Sequence, residues 1–274
     1  MSAFWVKMIA IVAMLLDHTA KIIRQDVLVP LFFGCSIRDA SAEMLHFTFD
    51  KLGWMEVVGR IAFPLFAFQI AVGAEKTRSM PRYLGRLLLF ALISEPLYYM
   101  AFSWRELSVR DFLDSLCALN FTNVFFTLFL GALAIYAYQL LQKQFPKRAW
   151  IPFLPVFLLI LFVSGYVDCD YGMAGVLLIV CLYLAKPKKA KMLVIVLWSV
   201  WLYLLDQAFN GHGFVWNQVS GMHVGYALGA AAACVPVLLY NGQRGKSWKW
   251  FFYIFYPAHL AVLLLIRYLI LSGV

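Results

Sequence analysis

About nine runs of mostly apolar residues, each near the length that crosses a bilayer, follow one another along this chain with short polar gaps between them. A spanning helix needs roughly 20 such residues, because lipid offers no partner to an unpaired backbone N–H or C=O. The runs fall at about 4–24, 55–75, 83–103, 120–141, 150–167, 171–185, 190–207, 219–239 and 249–270. The fifth, interrupted by Pro152 and Pro155, and the short sixth depart most from this pattern, so the range is roughly eight to ten spans. The expectation is an all-α fold, a polytopic integral membrane helical bundle forming one domain over 1–274. Composition agrees, since 14% of the residues are charged against about 25% in a soluble domain. The first run holds Lys7, Asp17 and His18 and is followed by no small-residue cleavage site, so it is expected to stay as a span. The stretches 25–54 and 104–119 are expected to form surface structure such as short interfacial helices.

A net charge of +9 would suit nucleic acid if the basic residues formed a patch, but they lie in alternate gaps. One set of gaps holds Lys76, Arg78, Arg82 and Arg86, then Lys143, Lys147 and Arg148, then Lys186, Lys188, Lys189 and Lys191, then Arg244, Lys246 and Lys249. Glu75 is the acid among them. The opposite gaps hold Asp26, Asp39, Glu43, Asp50, Glu106, Asp111, Asp114, Asp168 and Asp170. Short loops rich in Lys and Arg stay on the cytoplasmic side, so the N-terminus is expected there and the C-terminus outside. No nucleic-acid partner is implied; the partner of these charges is the lipid bilayer.

Ionisable residues inside spans are costly and point to function. Asp17 and His18 lie in the outer half of the first run, pointing about 100° apart, with Lys21 within reach of either. One reading is a satisfied helix-packing network. The other makes His18 a general base, since imidazole titrates near neutrality, with Asp17 orienting it. Arg60, near the outer end of the second run, matches Asp17 in depth and can pair with it. Glu95 beside Pro96 is a further buried acid, and Tyr256-Pro257-Ala258-His259 sets an imidazole beside a proline kink. His46 and His212 read as loop residues, and His223 has a weaker case.

Lys76-Thr77-Arg78 and Tyr240-Asn241-Gly242-Gln243-Arg244-Gly245-Lys246 bring basic groups and flexible backbone together at helix ends, a combination that accommodates phosphates as well as serving topology. The cysteines lack metal-type spacing, and no metal is predicted. Cys181 and Cys234 sit in apolar runs; Cys35, Cys117 and Cys169 sit in outer gaps, where one disulfide is possible.

Several blocks in order resemble the TraX family. These are Lys7-Met8-Ile9-Ala10-Ile11 with Met14-Leu15-Leu16-Asp17-His18, then Gly59-Arg60-Ile61-Ala62-Phe63-Pro64-Leu65-Phe66-Ala67-Phe68, Thr77-Arg78, Tyr83 with Arg86-Leu87, and Ser94-Glu95. Asn123-Val124-Phe125-Phe126-Thr127-Leu128, Asp170-Tyr171-Gly172, Tyr240-Asn241-Gly242 and Tyr256-Pro257-Ala258-His259-Leu260 continue it. Many relatives carry Glu and His where this chain has Val72 and Lys76. The resemblance implies a transmembrane acyltransferase of the bacterial cytoplasmic (inner) membrane, with acetyl-CoA as co-substrate and a peptide amine, glycan or lipid head group as acyl acceptor. The family's namesake acetylates the amino terminus of pilin in conjugation.

On that resemblance His18, Asp17, His259 and Arg60 form the catalytic set, and Glu95, Asn123 and Asp170 are further buried polar positions. Thr77, Arg78, Arg82, Asn241, Arg244 and Lys246 would meet the cofactor phosphates. Arg60 or Asn123 would stabilise the oxyanion. Direct transfer and a transient acyl-histidine on His18 or His259 both remain open. The rival readings are a proton-coupled small-molecule transporter and a non-catalytic membrane assembly factor.

Overall fold

The computed structural model describes residues 1–23, 27–35, 39, 41–102, 110, 113, 121–208 and 220–271. Nearly all of the stretch 104–119, with Glu106, Asp111, Asp114 and Cys117, lies outside them, as do Asp26 and His212. Regular structure among the described residues is helical: α1 Ala3–Ile23, α2 Val29–Phe33, α3 Ala42–Gly59, α4 Ala62–Lys76, α5 Met80–Phe102, α6 Val124–Gln144, α7 Trp150–Tyr166, α8 Gly172–Leu184, α9 Lys188–Val200, α10 Gly221–Ala231, α11 Cys234–Leu239 and α12 Lys249–Leu271. A π-helical turn, Trp201–Leu205, and the short Asp206–Ala208 continue α9.

Each expected run coincides with helix. Lys51–Lys76, Met80–Phe102, Val124–Gln144, Lys188–Ala208, Gly221–Leu239 and Lys249–Ile270 are long and apolar enough to cross a membrane. Trp150–Tyr166 and Gly172–Leu184 are apolar but shorter. α1 has 21 residues and carries Lys7, Asp17 and Lys21. The protein is thus a helical membrane bundle. The stretch 25–54 departs from expectation: α3 begins at Ala42, where Ser41 caps it by accepting from the Met44 N–H at 3.3 Å, and runs straight on into the second span.

Between α3 and α4 the helix breaks at Arg60 and Ile61, and the sequence says why. Pro64 has no N–H to give the Arg60 carbonyl and its ring crowds that turn, so the chain tightens; the Ile61 N–H reaches only to the Val58 carbonyl, at 3.1 Å. Arg60 therefore caps the end of α3, at a break within the Lys51–Lys76 span.

The described chain groups into two compact units, Met1–Leu65 with Ile195–Val274, and Phe66–Val194. In the first, α3 packs between α1 and α10 through small residues: a side chain at Gly59 would strike Asp17, and one at Gly229 would strike the Val57 carbonyl. Such close approach lets helices gain packing where lipid supplies no hydrophobic drive. Gly229→Ala is expected to cost about 1–3 kcal/mol by overpacking, read as a lower thermal midpoint in detergent. Gly85→Ala, which meets open space, should leave the midpoint unchanged or raise it.

At one end of this unit the start of α1 is tied to the loop before α12: the Ala3 N–H donates to the Gln243 carbonyl at 2.8 Å, the Phe4 N–H to that of Arg244 at 3.2 Å, and the Asn241 N–H to that of Met1 at 2.9 Å. α1 and α12 accordingly run parallel, as the expected alternation of loops requires.

In the second unit α6 packs on α5, α7 and α8, with Gly131 against Ile179. Lys186 Nζ lies 3.4 Å from Glu75 Oε1, joining two of the basic gaps at one end. At the other end the Asp170 N–H donates to the Thr122 carbonyl at 2.8 Å, joining two acidic ones. The gaps pair as the charge alternation predicts.

Candidate active site

Asp17 and His18, though adjacent, enter different clusters. The His18 ring is buried against His259: Nδ1 of His18 and Nε2 of His259 are 2.7 Å apart, and the rings stack with centroids 5.0 Å apart. His259 Nδ1 lies 3.0 Å from the Phe255 carbonyl, one turn back on α12, beside the backbone loosened by Pro257. Tyr256 closes over both imidazoles edge-on. At 7% and 5% exposure the pair is almost fully withdrawn from solvent, and every group named here belongs to the first unit.

Asp17 faces the ionic cluster. Lys21 Nζ lies 2.8 Å from Asp17 Oδ2, and Arg60 Nη2 lies 3.7 Å from Asp17 Oδ1 and 3.9 Å from Glu56 Oε2. The Arg60 guanidinium rests 4.3 Å from the Tyr226 ring centroid and 5.9 Å from that of Tyr203 on the π-helical turn. The Tyr226 hydroxyl donates to Glu56 Oε2. Two carboxylates and two cations thus balance in a row running from α1 through α3 to α10, with Asp17 and Glu56 buried and Lys21 at its half-buried end. Glu56, Tyr203 and Tyr226 were not anticipated. Glu56 stands four residues before Arg60, the spacing of a helical ion pair, and that was the available signal.

Glu95 and Asn123 lie in the second unit. Glu95 accepts from the Thr122 N–H and hydroxyl, both at 2.8 Å, and from the Asn123 N–H at 3.1 Å and side-chain amide at 2.5 Å. Its carboxyl thereby sits against the N-terminus of α6. Asn123 also donates to the Ala91 carbonyl at 2.8 Å and caps α6 by accepting from the Phe125 N–H at 2.9 Å. Asp170 is half-buried rather than buried; its carbonyl accepts the Thr127 hydroxyl. These family blocks meet as a joint between α5, α6 and the start of α8.

Thr77, Arg78 and Arg82 also belong to the second unit. The Thr77 hydroxyl donates to the Ser79 carbonyl at 3.4 Å, and Arg78 and Arg82 are exposed. Asn241, Arg244 and Lys246 belong to the first unit, in a loop whose Gly242 and Gly245 take left-handed φ of 80° and 71°. Asn241 accepts from the Gln243 N–H at 3.1 Å, Arg244 donates to the Ser247 hydroxyl at 2.9 Å, and Lys246 is exposed. Val72 is buried within α4 and Lys76 is exposed at its last residue. His46 lies exposed on α3 rather than in a loop, because α3 starts earlier than expected. His223 closes the capping box at the start of α10 with Ser220.

Cys35 and Cys169 are both free thiols, and Cys117 lies outside the described residues. Burial pushes the Cys169 thiol up from its ordinary value, which leaves less thiolate at a given pH. At pH 8 maleimide is expected to modify half-buried Cys35 well before Cys169, with Cys169 modified only on unfolding, as mapped by mass spectrometry.

A family model described as TraX protein matches residues 2–267. A probable fimbrial assembly protein, FimC of serogroup H1 from Dichelobacter nodosus, is 29% identical over 270 residues, 96% of this chain and 94% of its own. No solved structure matches.

Proposed function

The chain belongs to the TraX family, and on that basis we propose that it is a membrane-embedded acyltransferase. It moves an acetyl group from cytoplasmic acetyl-CoA to an amine or hydroxyl acceptor at or across the bacterial cytoplasmic membrane. The observation that carries this reading is the buried His18–His259 pair.

The pair has a defined proton order. The Phe255 carbonyl only accepts, so His259 must donate to it from Nδ1. In the neutral ring Nε2 of His259 is then the acceptor, and the 2.7 Å contact is a donation from His18 Nδ1. The basic lone pair of His18 is thereby held on Nε2, the arrangement a general base requires. His18 Nε2 takes the proton of the acceptor N–H or O–H as that atom attacks the thioester carbonyl. As the tetrahedral intermediate collapses the C–S bond breaks, and the imidazolium returns the proton to the departing thiolate. His259 disperses the charge that His18 gains and fixes its tautomer.

The relative's name concerns fimbrial assembly, which makes the amino terminus of a pilin-like peptide the first acceptor to try, ahead of a glycan or a lipid head group. The test is purified protein given acetyl-labelled acetyl-CoA and total cell-envelope acceptors. Label is expected in an envelope product with wild type and with His46→Ala, whose side chain is exposed away from the pair. Absence of label with wild type, or full transfer by His18→Ala, would sink the proposal.

A further inference from the structure

The segments 1–16 and 207–274 contain no Asp or Glu, and where the start of α1 meets the loop before α12 basic residues come near one another. The Phe4 N–H bonds the Arg244 carbonyl at 3.2 Å, and Lys7 stands one turn further along the same face of α1. Lys7 Nζ lies over the Phe252 ring, 5.1 Å from its centroid, and Arg244 is within electrostatic range of it. Phe4 fills the corner, with ring centroids 5.5 Å from Trp248 and 6.0 Å from Phe252. Among the described residues neither Lys7 nor Arg244 has an acidic partner.

Loop charges that only orient a membrane protein stay in water, where each is solvated on its own. Lys7 does not: it is half-buried, inside α1, beside an aromatic ring and within electrostatic range of a second cation. Placing like charges together in partly desolvated surroundings is unfavourable unless an anion joins them.

The geometry points to a phosphate-binding site formed by Lys7 and Arg244, walled by Phe4, Trp248 and Phe252. Lys7 is half-buried and Arg244 is exposed at the mouth of the corner, and an ammonium and a guanidinium are the side chains that hold phosphate oxygens by charge-assisted hydrogen bonds. Lys7 and His18 are eleven residues apart on α1, close to three full turns, so they share a face about 16 Å apart. Phe252 and His259 are seven apart on α12, about two turns and about 10 Å. The site and the histidine pair therefore lie along one seam between the same two helices. This deepens the acyltransferase reading, on which it rests for the identity of the ligand: the phosphates of the donor would anchor at Lys7 and Arg244 while its long thiol arm follows the seam to His18. The same chemistry could instead draw its phosphate from an anionic lipid.

Two measurements on the full-length protein decide this without requiring turnover. In phosphatidylcholine nanodiscs, adenosine 3′,5′-bisphosphate is titrated calorimetrically against wild type, Lys7→Ala, Lys7→Arg and Arg244→Ala. In parallel, thermal midpoints are compared with and without phosphatidylglycerol in the disc. The expected result is about tenfold or greater loss of bisphosphate affinity in Lys7→Ala and Arg244→Ala, with Lys7→Arg retaining it. Stabilisation by phosphatidylglycerol that Lys7→Ala abolishes would support the site and name a lipid as its ligand. Equal behaviour of wild type and both alanine variants towards both probes would overturn it. Wild type that binds the bisphosphate but transfers no acetyl group would defeat the acyltransferase reading alone. Transfer that survives in a Lys7→Ala protein binding as tightly as wild type would defeat this inference alone.

Discussion

His18→Ala is expected to lower acetyl transfer, measured per mole of folded protein, about 10²–10⁴-fold, the range a positioned general base contributes. The more informative comparison is at His259, which in the proposed mechanism positions His18 rather than touching the acceptor. His259→Leu removes the acceptor for His18 Nδ1–H and frees the His18 ring to take either tautomer. Its loss should approach that of His18→Ala and fall on kcat rather than KM. His259→Gln sets an amide oxygen near where Nε2 stood, so it can still accept from His18 and should recover much of the activity. If Leu and Gln at this position were equally impaired, packing rather than the proton order would be what His259 supplies.

Arg60→Leu is expected to produce the largest loss of stability, about 3–5 kcal/mol, because removing one member of a buried ionic cluster strands its partners. Asp17 keeps Lys21, so the cost falls chiefly on Glu56. Adding Glu56→Gln to Arg60→Leu should therefore return part of the loss. Arg60→Lys is not a mild change either, since an ammonium lacks the planar face that stacks over Tyr226. Unfolding in mixed micelles measures all three. An Arg60→Leu protein as stable as wild type would mean that the row of charges contributes nothing net.

The helices were legible because each crosses lipid alone and must be apolar over its own length, a local property. The Asp17–Arg60 pair was legible for a related reason: matched depth in adjacent spans leaves few choices of partner. The His18–His259 contact joins residues 241 positions apart, and no local pattern records which helix lies beside which. Glu56 escaped notice because it stands where an apolar run begins, and a charge there resembles an ordinary span boundary. The start of α3 was hidden as well, since its first turns mix His46, Thr48, Asp50 and Lys51 with Phe47 and Phe49 and lack a clean apolar face. Asn123 and Asp170 are plainly polar in the sequence, but only their hydrogen bonds reveal that they join helices.

α8, at 13 residues, is about 20 Å long, some 10 Å short of a typical hydrocarbon core. A lipid-facing helix of that length would thin the bilayer around it, but α8 is largely buried among its neighbours, with Val176, Ile179 and Leu182 at 0% exposure. The shortfall is therefore met inside the protein.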